Sequence, residues 1–135
     1  MKITKEREQE LINQWYKRHS GISDDSPDVS HIIEYVLKLG FVERFIYNEK
    51  HPSKGSFCHY YYSNEGIIYS ILFDVYQSFE DGTHETGMGI WAGKGDHPDD
   101  YMNTNYKSSR KNRCFSYSDF ERIPFIMEEL KKEVQ

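Results

Sequence analysis

The densest run of residues that could do chemistry lies between Glu85 and Arg113. Gly87-Met88-Gly89-Ile90-Trp91-Ala92 spells G-x-G-x-x-A, a permitted form of the dinucleotide fingerprint, in which glycines bring a helix N-terminus close to a pyrophosphate. Here the glycines run on into Gly93-Lys94-Gly95 and an Asp/Pro segment, so no helix follows them directly. A phosphate loop fails as well, because Gly95 stands where the magnesium-binding hydroxyl should follow Lys94. Glycine inside a strand marks a bulge or a close backbone approach, and that is the reading adopted.

Asp96, His97, Asp99 and Asp100 crowd the next loop, with Glu85 one strand away. Carboxylate and imidazole ligands so close could hold a divalent ion for a small metal-dependent hydrolase or nucleotide-processing enzyme. No Asp-x-Asp-x-Asp-Gly calcium pattern occurs, and a turn-forming Asp/Pro segment uses the same letters for side-chain-to-backbone bonds. The histidines show no His-x-x-x-His pair and the cysteines no Cys-x-x-Cys. No metal or cofactor is therefore assigned. Cys58 and His59 adjoin in a strand pattern, where neighbours point to opposite faces, so they do not pair as nucleophile and base. No G-x-S-x-G elbow occurs either, and no catalytic residue is named.

Lys107, Arg110, Lys111 and Arg113, with Tyr101 and Tyr106 upstream, could bind single-stranded nucleic acid. On a chain of net charge −5, four cations fit a solvated loop or an acidic protein partner better.

The elements that must position these residues follow from periodicity. Thr4 caps a first helix with Leu11, Ile12, Trp15 and Tyr16 on one face, ended by Gly21. Ser26-Pro27-Asp28 reads as N-cap, first-turn proline and a favourable carboxylate. A second helix over 28–39 then buries Val29, Ile32, Ile33, Val36 and Leu37 and stops at Gly40. From Phe41 the period becomes two, giving strands at 41–48, 56–63, 67–77 and 83–92. Asn64-Glu65-Gly66 suits a three-residue hairpin loop, and Asp81-Gly82 a two-residue type I′ turn. Residues 93–112 read as a long, mobile loop, followed by a short strand near 113–116. Ser118 and Glu121 form a capping-box pattern, and Pro124 opens a last helix over 124–133.

The fold expected is α+β: an antiparallel meander of four or five strands, with the helices at 28–39 and 124–133 on one face. With 135 residues and no linker, residues 1–135 read as one domain. Met1 opens directly into charged residues with no apolar segment, and two cysteines need not pair, so a soluble cytoplasmic protein away from membranes is expected.

The two turn types set a register in which Tyr61 faces Tyr69, His59 faces Ile71, Phe57 faces Phe73, Phe73 faces Ile90 and Val75 faces Met88. That leaves the other sheet face to Cys58, Tyr60, Tyr62, Ile68, Leu72, Tyr76 and Trp91, with Ser70, Asp74 and Glu85 among them and a trough at Gly87 and Gly89. So aromatic a face belongs to an interface, unless the N-terminal helix or a second copy in a homodimer covers it. The expectation is a protein-binding module, an inhibitor or immunity-type protein acting by occlusion. Tyr60, Tyr62, Tyr76 and Trp91 would anchor the partner, and Asp96, Asp99 and Asp100 would steer a basic one.

Overall fold

The computed structural model describes residues 3–21 and 27–135, except for the side chains of residues 101 and 102. The elements run α1 (Lys5–Arg18), α2 (Ser30–Lys38), β1 (Val42–Ile46), α3 (Pro52–Gly55), β2 (Phe57–Asn64), β3 (Ile67–Ser78), β4 (His84–Lys94), α4 (Thr104–Ser109), β5 (Lys111–Phe115) and α5 (Ile123–Val134). The strands form one antiparallel sheet in the order β1-β2-β3-β4-β5, the expected α+β meander. By contact density the chain falls into two compact units, residues 1–59 and 60–135.

In the first unit the Thr4 side chain accepts the Arg7 amide at 3.1 Å, as an N-cap should. α1 buries Leu11 and Trp15. The Trp15 ring stacks on His19 with centroids 4.1 Å apart, and His19 Nδ1 lies 2.7 Å from the Trp15 carbonyl oxygen. Gly21 (φ 76°) takes the chain out of the helix. The N-cap expected at Ser26 lies outside the described residues. Helix α2 starts later than expected, at Ser30, because Asp28 sits in an extended bridge with Ser20 and its carboxylate accepts the Ser30 amide at 2.9 Å. α2 buries Ile32, Ile33 and Val36 but leaves Leu37 exposed, and Gly40 at φ 105° terminates it. After β1, Asn48 Oδ1 accepts the Lys50 and His51 amides and so turns the chain into α3.

In the second unit the two hairpin loops exchange the sizes expected of them. Asn64 pairs with Ile67, so Glu65-Gly66 is a two-residue loop, and both residues have positive φ (53° and 77°), as a type I′ turn requires. At the other end the Phe79 amide donates to the Thr83 carbonyl and the Gly82 amide to the Phe79 carbonyl. Glu80-Asp81-Gly82 is therefore the three-residue loop, with Gly82 at φ 86° as its left-handed residue.

The first exchange moves β2 by one residue: Tyr62 faces Tyr69 and Tyr60 faces Ile71. A one-residue slip carries every side chain to the other face. Tyr60 and Tyr62 thus share a face with Tyr69, Ile71, Met88, Ile90 and Ala92, while Ile68, Ser70, Leu72 and Trp91 occupy the opposite one. The β3–β4 pairing shifts by two residues, to Phe73 against Met88, and keeps its faces as far as Phe73. A bulge then intervenes between Phe73 and Val75, with Asp74 at φ 60°, and beyond it the faces interchange again.

Helix α5 lies over the Tyr69–Ile90 side, burying Ile123, Ile126, Leu130 and Val134. Lys131 bonds Glu65 at 2.8 Å and Glu133 bonds Arg113 at 2.8 Å, which fixes the helix against the hairpin turn and β5. Pro124 sits in its first turn, as expected. Ser118 caps nothing, because it falls inside a 3-10 helix over Tyr117–Arg122 that starts after Ser116.

Residues 93–112 are not the long loop expected. They hold a 3-10 helix at Pro98–Met102 and α4, and β5 begins at Lys111. Tyr106 anchors this segment: it is fully buried, and a Cβ on Gly93 would lie 2.5 Å from its ring. The Ser109 hydroxyl also accepts the Lys94 amide at 2.7 Å. Here glycine is the close-approach residue, making room for a tyrosine on the neighbouring helix.

Candidate functional site

The sheet is widest where β5 covers β4 from Met88 to Ala92 and β2 covers β3 from Ile67 to Ile71. From Val75 to Gly87, β3 and β4 pair with each other as a two-stranded arm, and among the described pairs no third strand joins them. At ~3.3 Å per residue the five residues from Val75 to Phe79 reach roughly 15 Å beyond the sheet.

Two features make this arm unusual for a solvated hairpin. Tyr76 is 60% exposed and Phe79 47% exposed, on opposite sides of the ribbon. Tyr76 is braced by His84, its diagonal neighbour, with ring centroids 5.1 Å apart. The charge is one-sided: residues 74–87 contain Asp74, Glu80, Asp81 and Glu85 and no Lys or Arg, a formal −4 on a chain of −5. The tip is stiffened by Asp81, whose carboxylate accepts the Thr83 hydroxyl (2.6 Å) and amide (3.0 Å). Those bonds hold the Asp81 carboxyl below its ordinary range, so it stays ionised.

At the root of the arm, Asp74 adopts a left-handed conformation that an L residue holds only at a cost. The Tyr117 hydroxyl holds it there, accepting the Asp74 amide at 2.8 Å and donating to its Oδ1 at 3.1 Å. Burial, followed by the Asp74 charge, keeps that phenol protonated well above the ordinary tyrosine range. Tyr117 stacks on Phe73, which meets Tyr60 edge-on at 5.8 Å. The arm is thus tied through three rings to the core.

The residues expected to form one interface are dispersed. Tyr60 is fully buried, so it is core and not a contact residue. Tyr62 is half-buried beside Tyr69, with centroids 6.2 Å apart. Trp91 is half-buried on the other face, its ring occupying the space over Gly89, while the Phe115 carbonyl closes Gly87, so the expected trough is filled. Of the four aromatics, Tyr76 alone lies on the arm. Asp96, Asp99 and Asp100 lie past the far end of β4: Asp100 Oδ2 accepts the Asp96 and His97 amides, and His97 Nδ1 accepts the Asp99 amide. These bonds cap the 3-10 helix and hold the Asp100 carboxyl low.

The metal set of the alternative reading, Glu85, Asp96, His97 and Asp99, is not brought together. Glu85 sits at the opposite end of β4 from Asp96, roughly 30 Å away at ~3.3 Å per strand residue. Among the described residues no group of three or more His, Cys, Asp or Glu is placed to hold a metal ion. Of the two aromatics of the basic segment, Tyr106 is buried against Gly93 and the Tyr101 side chain lies outside the described residues, while Arg113 is paired with Glu133. Both cysteines are free thiols, Cys58 buried and Cys114 exposed. No described helix is long and apolar enough to cross a membrane.

Phe79 was missed, and Asp74 was placed on the aromatic face but not as the bulge, because their roles depend on where the sheet stops. The acidic bias of residues 74–87 is the one signal in the letters that marks the arm. No known protein family, no curated protein and no solved structure matches the chain.

Proposed function

We propose that this chain is a protein-binding module, and that its contact element is the acidic aromatic arm between Val75 and Gly87. The supporting observation is the coincidence, on a two-stranded ribbon, of exposed Tyr76 and Phe79 with three acids on the arm, a fourth at its root and no Lys or Arg. Aromatics exposed beside one sign of charge suit a partner surface that is basic around an apolar pocket. The partner class proposed is therefore a basic protein, and the action is occlusion of the surface into which the arm inserts. Nucleic acid is disfavoured at the arm by its own charge. A second copy of this chain would set one acidic arm, −4 over residues 74–87, against another.

Site-specific photocrosslinking tests the reading. A photoreactive phenylalanine at position 79 should capture one stoichiometric protein from a lysate of the source organism. The same group at Phe125, 61% exposed on α5, should not. With the captured partner purified, Phe79→Ala should weaken binding about thirtyfold, the effect of losing ~2 kcal/mol at a hot-spot aromatic. Because Phe79 is exposed, its loss should leave the melting temperature nearly unchanged. Equal capture from positions 79 and 125, or undiminished affinity of Phe79→Ala, refutes the proposal.

A further inference from the structure

Resting on the arm as the contact element, we infer that the partner docks as an extended basic strand, hydrogen-bonded along the outer edge of β3 at Val75–Ser78. In an antiparallel ladder alternate residues turn their backbone groups toward the partner strand and away from it. The Phe79 amide is bonded to the Thr83 carbonyl, and Ser78 faces His84 and Tyr76 faces Thr86 across the ribbon. Counting back from Phe79, Gln77 and Val75 turn toward β4, while Tyr76 and Ser78 turn their N–H and C=O outward. Four backbone groups therefore lie in a row along an edge beyond Ile71, the last residue of β3 paired with β2 among the described pairs.

Proteins that leave a strand edge open protect it with charge, proline or a covering loop. Val75-Tyr76-Gln77-Ser78 has neither charge nor proline, and Tyr76 and Ser78 are exposed. The bulge at Asp74, which could have twisted the edge away, lies before this stretch and is held by Tyr117. An added strand takes its affinity from main-chain bonds and its specificity from alternate side chains. With Asp74 at one end and Glu80 and Asp81 at the other, those side chains would be Lys or Arg. Two copies pairing edge to edge would bring like charges together, which a ladder disfavours.

The probe is a fluorescent octapeptide of alternating Lys and Val, tested beside the same peptide N-methylated at every second residue on its pairing edge. The unmodified peptide should bind the whole chain, and N-methylation should weaken it by about tenfold or more. Ser78→Pro should do the same without melting the arm, since the Ser78 amide is not bonded to β4. The double change Glu80→Lys, Asp81→Lys should abolish binding. If the N-methylated peptide binds equally well but the charge reversal abolishes binding, strand addition is wrong and the arm remains the contact element. If neither change matters, or the octapeptide does not bind, strand addition is overturned, and insensitivity to charge reversal counts against the arm as well. Self-association of the wild type that is lost in Ser78→Pro would assign the edge to a second copy and overturn the basic strand.

Discussion

Acidification should destabilise this protein well above the range where its carboxylates titrate, and His59 is the group responsible. It is buried near the start of β2, and burial, followed by the nearby Arg44 charge, pushes its imidazolium pKa from 6.5 down to about 4. A histidine depressed in the folded state binds protons more readily when unfolded, so stability is full above the unfolded pKa and is lost as pH falls through the window from 6.5 toward 4. Between pH 7.5 and pH 5 the unfolded chain takes up nearly one proton that the folded chain refuses, which amounts to about 2 kcal/mol at 1.36 kcal/mol per unit. Urea midpoints measured every half unit of pH should show that loss, and amide exchange should show Cys58 to Tyr60 opening with it. His59→Gln cannot ionise, so its profile should be nearly flat over the same window, whatever its absolute stability. A wild-type profile that is flat from pH 7.5 to pH 5, or a His59→Gln profile that falls as steeply, would refute the assignment.

Three further outcomes are expected. Burial, with the Glu43 charge second, pushes the Cys58 thiol up to about 12, whereas Cys114 is exposed, so a disulfide reagent at pH 8 should titrate one thiol at once and the second only with denaturant; two fast thiols would contradict this. Tyr117→Phe removes both bonds that hold Asp74 and should cost about 1–1.5 kcal/mol, lowering the melting temperature by ~3–5 °C with faster amide exchange confined to residues 74–87. Tyr106→Ala should cost about 3–5 kcal/mol and turn slow tryptic cleavage after Lys107 into fast cleavage, whereas fast cleavage of the wild type would mean the α4 segment is loose after all.

By itself the sequence determined whatever depends on a few neighbouring residues. The 3.6-residue stripe of Ile32, Ile33 and Val36, the Thr4 cap, the Gly21 and Gly40 stops and the period-two runs placed α1, the body of α2 and all five strands within a few residues of their observed bounds. The start of α2 was less legible, because Asp28, read as part of the first turn, is drawn instead into a bridge with Ser20, 8 residues earlier in the chain, and the helix opens at Ser30. Loop size was not determined at all. Glu65-Gly66 and Asp81-Gly82 both offer an acid followed by a left-handed glycine, and two- and three-residue loops differ by too little for composition to choose. Tertiary pairing made that choice: Tyr60, opposite Ile71, is fully buried, and the whole of β2 follows because its side-chain period is two. The bulge at Asp74 was equally invisible, since its left-handed backbone is held by Tyr117, 43 residues away in the chain. Those two long-range contacts bury Tyr60, separate Trp91 from Tyr76 and leave the arm free. The letters fixed the strands, but only the packed sheet could decide which aromatics meet solvent.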